Sequence, residues 1–319
     1  MIEINNKSFW IKSLKWPIDN LRITSLSEQN HYRTLRVNLY GRGSMPSSVI
    51  VRKCNFETKR CTYDYLMLKY FNQNSSYPSP RLYYAKDDDA KKESILVIED
   101  LHTKFKSFES NYSFSSKEEN IFFSNLALLN KTKIKKGELK AKLSFMTQPI
   151  YTQLMPLEVL ASIEKLIIAG IINQEQGNLL KTTTLPYLGE VIKVLSSLPL
   201  RISIRLFSPD HIVIDKNETE AIFVNYNYFG VGNCLDTFVA IEKSLRENSK
   251  QQSLNAYIKR MNFKNNTEYE IVDLLKIIRL SHALSIIINW DYKNKKTINK
   301  SLFDSLMCDI SLAIELFNP

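Results

Sequence analysis

Glycine is scarce, with eight in 319 residues. Loops that cradle phosphate with backbone amides usually need glycine to let the backbone approach closely, so a glycine-rich phosphate loop is not expected. Cysteine is scarce too. Cys54, Cys61, Cys234 and Cys308 are widely spread and form no CxxC pair. Without a signal-peptide-like start, this spacing leads us to expect reduced, mostly buried thiols in a cytoplasmic protein. The four histidines, His31, His102, His211 and His282, show no ligand spacing such as HExxH, which argues against a zinc site. Long apolar runs are missing as well. The longest, "LIIAGII", is far short of the ~20 residues needed to cross a bilayer, so no membrane span is expected. Acidic residues are outnumbered, 33 against 43 Lys and Arg, for a formal net charge of +10. The lysines are scattered along the chain. Even the densest cluster, "KTKIKKGELKAK" (Lys131 to Lys142), has no interleaved aromatics. A solvated basic surface is the reading, and nucleic acid is not an expected partner.

What is present makes a packed protein. Hydrophobic residues are 44% and charged residues 24%, enough core to exclude wholesale disorder. "LRITSL", "YRTLRVNLYG" and "SSVIVRKC" read as strands. "FETKRCTYDYLMLKYFNQ" changes to a helical period, with Tyr65, Leu68 and Phe71 on one face and Leu66 and Tyr70 adjoining. After "YPSP" come two more strands, "RLYYAK" and "SILVIEDL". From about residue 110 the pattern is helical. "SSKEENIFFSNLALLNK" opens on a capping box, either Ser115 with Glu118 or Ser116 with Glu119. "PLEVLASIEKLIIAGI" starts on a proline suited to a first turn, and "LPYLGEVIKVLSSL" is amphipathic. Within these helices "SIRLFSPDHIVID", then "KNETE", then "AIFVN" read as a loop feeding a hairpin, with Asp215 opening the turn. "CLDTFVAIEKSLREN", "EIVDLLKIIRLSHALSIIINW" and "SLFDSLMCDISLAIELF" complete the chain as helices. The expected organisation is a β-rich region, 1–99, and a mostly helical region, 100–319, that contains the hairpin.

This order, with its local motifs, resembles the aminoglycoside phosphotransferase and choline kinase-like superfamily, its ecdysteroid-kinase-like branch in particular, over about residues 20 to 300. The resemblance implies an α+β, two-lobed protein-kinase-like fold. In the family a Lys or Arg on the third strand pairs with an acidic residue on the first helix. Arg52, with Lys53 as the alternative, fits the first position, and Asp64 fits the second. "SILVIEDL" matches the family's hinge, where backbone groups beside Glu99 and Asp100 would face an adenine. "SNLALLNK" resembles a helix that usually reads LAxLH, with Asn130 in place of the histidine. "SIRLFSPDHIVID" is similar to the family pattern HGDLHPGNILVD, and "GVGNCLD" places Asp236 in register with the G-to-D segment that follows.

The departures fall on the chemistry. Phosphoryl transfer needs a carboxylate to orient the nucleophile and Mg²⁺ to neutralise the phosphates. In the loop 203–225, Leu206 stands at the carboxylate position, while His211 and Asn225 stand at the two metal-ligand positions. A leucine holds no proton, imidazole suits softer metals, and an amide carries no charge. Leu206 alternates with Ile202 and Ile204 and is expected to pack inward. Asp210 is the nearest substitute carboxylate, and Arg205 could reach a phosphate or pair with an acidic helix residue. The loop "TSLSEQNHYRTLRV", with Asn30, His31 and Tyr32 at its tip, has no glycine for phosphates. No catalytic residue is intact on this reading. The expectation is a kinase-like pseudoenzyme with a binding, scaffolding or regulatory role. The alternatives are a small-molecule phosphotransferase using displaced residues and a nucleotide-independent metabolite-binding protein. ATP is the cofactor that the resemblance implies, and Mg²⁺ is not expected to be required, because the missing aspartates no longer repel phosphates. The partner is an unidentified protein or a small anionic ligand.

Overall fold

A computed structural model describes residues 4–29, 32–56, 60–74, 77–90, 92–131, 149–205, 207–242, 245, 249–262, 268–290 and 298–317. Leu206, Asn30, His31 and most of the lysine cluster lie outside these residues. The chain forms two compact units. The first comprises Met1–Leu129, Phe207–Tyr228 and Ser244–Tyr257; the second comprises Asn130–Leu206, Phe229–Lys243 and Ile258–Pro319.

The first unit is built on an antiparallel sheet of β1 (Ile18–Gln29), β2 (Tyr32–Gly41), β3 (Ser48–Asn55), β4 (Leu82–Asp88) and β5 (Glu93–Glu99), in the order β1-β2-β3-β5-β4. Strand period puts Val37, Leu39, Val49, Val51, Ile95 and Val97 in one core cluster. A helix that the sequence reading did not anticipate, α1 (Lys7–Leu14), contributes Phe9 and Trp10 to that cluster. Asn6 caps its start by accepting from the Ser8 N–H, and Lys15, at φ 55°, ends it. The Trp10 indole is fully buried, stacks on Trp16 at 6.0 Å and donates to the Ile4 carbonyl. With α2 (Arg60–Asn74) between β3 and β4, the expected strand, strand, strand, helix, strand, strand order holds.

The buried stripe of α2 is Cys61, Asp64, Leu68 and Phe71, with Met67 beside it. It runs at helical spacing but includes a carboxylate that an apolar pattern cannot anticipate. Cys54, near the end of β3, and Cys61, in the first turn of α2, form a disulfide with Cα atoms 5.8 Å apart. This corrects the expectation of reduced thiols for these two. The helix starts back against the strand it has just left, so residues seven apart meet within bridging range although their spacing is no motif. Cys234 and Cys308 stand outside this bridge as thiols, and Cys308 is exposed.

The hairpin is β8 (Ile212–Asp215) and β9 (Ala221–Phe223). A third strand, β6 (Phe105–Ser107), joins it in the order β6-β8-β9. As expected, Asp215 organises the turn: its carboxylate accepts from the N–H groups of Asn217, Thr219 and Glu220 and from the Thr219 hydroxyl. The helix α3 (Ser116–Lys131) begins on the Ser115 and Glu118 box, with each side chain bonding the other residue's N–H. Phe122 of α3 packs on Phe207 and Phe223 at 5.2 and 5.6 Å.

The second unit pairs β7 (Arg201–Ile204) with β10 (Phe229–Gly232) and surrounds them with helices. These are α4 (Pro156–Ile168), α5 (Gln174–Thr184), α6 (Leu188–Ser197), α7 (Cys234–Glu242), α9 (Ile271–Ile288) and α10 (Lys300–Ile314); α8 (Lys250–Met261) is divided between the units. All four residues of β7 are buried, Arg201 and Ser203 as well as Ile202 and Ile204. Alternation along this strand therefore does not separate an inside from an outside. No helix among the described residues is long and apolar enough to cross a membrane.

Candidate functional site

Arg52 sits near the middle of β3 with its side chain turned toward α2. Its Nη1 donates to Asp64 Oδ2 at 2.6 Å, and its Nη2 donates to the Val224 carbonyl at 2.8 Å. The guanidinium thus spans a strand, a helix and the segment after the hairpin. Asp64 is fully buried and the Arg52 side chain is 12% exposed. Burial pulls Arg52 toward losing its charge, but the Asp64 carboxylate, its hydrogen bond and the neighbouring Tyr32 and Tyr226 together outweigh this and hold the group above its ordinary range. Tyr226, also fully buried, lies close enough that Arg52 lowers its phenol, while burial drives that phenol well above its usual value. Tyr226 packs on Phe71 of α2 at 5.8 Å.

Lys53 is the neighbour on β3, so it points to the other face, where its Nζ is 3.8 Å from Glu93. Of the two cations weighed for the strand position, Arg52 is the one that reaches Asp64. Asp100 caps a short 3₁₀ turn, Leu101–Thr103, by accepting from the His102 N–H. Its other oxygen accepts from Arg36 Nε at 2.8 Å. The sequence reading missed Arg36. In the β2–β3 register Arg36 is opposite Ile50 and Thr34 is opposite Arg52, so Arg36 and Arg52 share a sheet face. Alternation along "YRTLRV" carried that signal. Glu99 accepts from the Arg81 N–H and faces Lys104 at 3.6 Å. Glu99 and Asp100 also border a polar cleft of about 530 Å³ lined by Trp16, Ser47, Arg81 and Lys104.

The loop after Phe207 is shaped by a 3₁₀ turn, Pro209–His211. His211 is buried. Its Nδ1 accepts from the Ser208 N–H at 3.1 Å, and its ring stacks on Tyr228 at 4.7 Å. Accepting that bond places the ring proton on Nε2, which is 4.0 Å from Asp210 Oδ1. Asp210 itself is 49% exposed. Asn225, half-buried, lies between β9 and the turn Tyr226–Tyr228.

In the second unit, Asp236 opens α7. Its Oδ2 accepts from the Asn233 N–H at 2.7 Å, and its Oδ1 is 3.7 Å from His282 Nε2. A Cβ at Gly232 would collide with this carboxylate, which requires glycine there. Arg205 lies across Gly230 and donates to the Val231 carbonyl at 2.7 Å. The Asn130 amide donates to the Ile202 carbonyl of β7. These three residues therefore hold strands and turns of the second unit.

No protein-family model matches the sequence, and no curated protein is similar to it in sequence. Solved structures are similar in fold. An APH(2'') aminoglycoside phosphotransferase in its GDP and kanamycin complex aligns at a TM-score of 0.60 and 11% identity, over 94% of this chain and 96% of that one. The choline kinase LicA from Streptococcus pneumoniae aligns at 0.58 and 11%, over 95% and 97%. ADP-bound APH(2'')-Ib aligns at 0.57 and 13%, over 96% of each chain. The chain has the kinase-like fold of aminoglycoside phosphotransferases and choline kinase.

Proposed function

We propose that this chain is a kinase-fold protein that does not transfer phosphate and acts instead by binding, as a scaffold or regulator. The observation that carries this reading is the setting of His211. Where the related fold would offer an oxygen ligand, this ring is buried, stacked on Tyr228 and engaged through Nδ1 with the Ser208 N–H. Its partner position holds the neutral amide of Asn225. A hard cation such as Mg²⁺ selects oxygens, so imidazole at 211 is a poor donor for it, and the amide at 225 offers an oxygen without the charge of a carboxylate.

The cations support the same reading. A phosphate-binding arginine presents its fork to the ligand. Here one arm of Arg52 is used by Asp64 and the other by the Val224 carbonyl. Arg36, on the same sheet face, is set against Asp100. Each charge has a carboxylate beside it, so this face offers less attraction to an anion than the sequence alone implies. The alternative of a working phosphotransferase with displaced residues is favoured by one observation, the exposed Asp210 carboxylate in the loop.

Assay of ATP consumption with Mg²⁺ over a panel of small alcohols and amines tests the proposal. No turnover above background is expected from the native chain. Rates of roughly 1–100 s⁻¹, ordinary for kinases, would overturn the reading, and their loss in Asp210→Asn would establish the alternative. Calorimetry with ATP and with simple polyanions, with and without EDTA, tests the binding role separately. Strictly Mg²⁺-dependent ATP binding would contradict the donor-set argument.

A further inference from the structure

Two rungs join β3 to α2. One is the Arg52–Asp64 ion pair and the other is the Cys54–Cys61 disulfide. Cys54 lies two residues beyond Arg52 on the same strand face, and Cys61 lies three residues before Asp64 on the same helix face. The rungs are adjacent, and Tyr32 from the start of β2 packs against both sulfurs' residues. A side chain reaching from a strand to a helix holds a 2.6 Å contact only while the two backbones keep their spacing. The disulfide fixes that spacing next door.

We propose that Cys54–Cys61 is a reducible clamp on the Arg52–Asp64 pair, and that exchange with a dithiol reductant releases the first turns of α2 from β3. Cys54 and Cys61 are each about 2% exposed, so the bond is shielded from bulk solvent. A cavity of about 270 Å³ nevertheless opens on the Cys61 side, lined by Thr62 and Tyr65 of α2, Lys86 of β4, and Ser94 and Leu96 of β5. It gives a small dithiol a way to Cys61. The reductant's thiolate attacks Cys61 Sγ; Cys54 leaves with the S–S electron pair and takes a proton. The reductant's second thiol then displaces Cys61 Sγ, which is protonated in turn. The chain gains two electrons and two protons as two thiols, and the dithiol leaves as its disulfide.

The test uses the full chain purified without reductant. Alkylation in denaturant followed by mass spectrometry should label Cys234 and Cys308 alone, and all four cysteines after native incubation with dithiothreitol. Amide exchange across 60–74 should then quicken about tenfold or more in the reduced protein, while that of α9 in the second unit stays unchanged. Cys61→Ser should reproduce the reduced pattern with no reductant present. Four labelled cysteines before reduction, or two after it, would overturn the proposal. So would equal protection of α2 in the two states, which would make the bond a staple without influence on the helix.

Discussion

Without its carboxylate, residue 64 would leave the Arg52 guanidinium buried with no formal counter-charge from α2. Removing one member of a buried pair typically costs about 3–5 kcal/mol, because the other charge keeps its desolvation penalty. Asp64→Ala should therefore lower stability by about that much in urea denaturation. Arg52→Met combined with Asp64→Leu should lose much less, since no charge is then left in the interior. Asp215 gives a second test at this scale. Burial pushes its carboxyl up, but the N–H groups of Glu220 and Thr219, the Thr219 hydroxyl and the Asn217 N–H outweigh that and hold it below the ordinary range. A depressed folded value stabilises the protein above the unfolded carboxylate value, about 3.9, and that stability is lost as pH falls through the folded one. Glu118 acts in the same direction: burial raises it, and Ser115 with Lys106 brings it lower. Glu220 acts oppositely, raised by burial and then by Asp215 and Glu99, so its contribution fades as pH rises through its own value. Asp215→Asn should flatten the acid limb of stability below about pH 4, measured by denaturation between pH 2 and 7, and should relieve Glu220 above it. Asp215 as a turn former was legible from type and place. Arg36 against Asp100 was not, because the two are 64 residues apart and nothing local links them.

Elements were legible where one period ran long enough. β2 matches "YRTLRVNLYG" to the residue, and the helix from "PLEVLASIEKLII" starts at its proline. Short or doubly buried elements were not. In α1, eight residues bury only Phe9 and Trp10, too few to set a helical period against its lysines and serines. α5, "QEQGNLLKTTT", is polar enough that its Asn173 and Gln176 capping box was the one local cue. In β7 both faces are buried, which removes the alternation that usually marks a strand. The weight of α1 can be measured. Trp10→Ala should cost about 3–5 kcal/mol, as for other buried aromatics, and should release the Trp16 ring that stacks on it. Chemical denaturation followed by tryptophan fluorescence reads both effects, and a loss under 1 kcal/mol would show that α1 is an ornament on the sheet.

At the scale of the molecule, each compact unit is made of three separate stretches, so the chain passes between the units five times. The sequence ordered the elements correctly but could not show this partition, because it depends on pairings such as Phe105 with Asp215 across more than a hundred residues. The chemistry of the loop was readable and its support was not, because that support is set by how the chain folds and not by a local pattern. Leu206, His211 and Asn225 could be compared with a pattern, whereas Tyr228 under His211 and Val224 over Arg52 had to be seen in place.

That partition also orders events during synthesis. β1 through β5 and α2 are complete early, and with them the Arg52–Asp64 pair and both cysteines of the bridge. The strand β6 emerges next, but its partner β8 follows only after about a hundred more residues. At translation rates of about 5–20 residues per second, that is a wait of roughly 5–20 s. During it β6 has an unmatched edge, Arg52 lacks the Val224 carbonyl, and Tyr77 lacks the Phe223 N–H that its hydroxyl will accept. The nascent first unit is thus an open five-stranded sheet carrying three unmet contacts, and a ribosome halted just before residue 207 should display a chain open to proteases around β6 but resistant within β1 to β5.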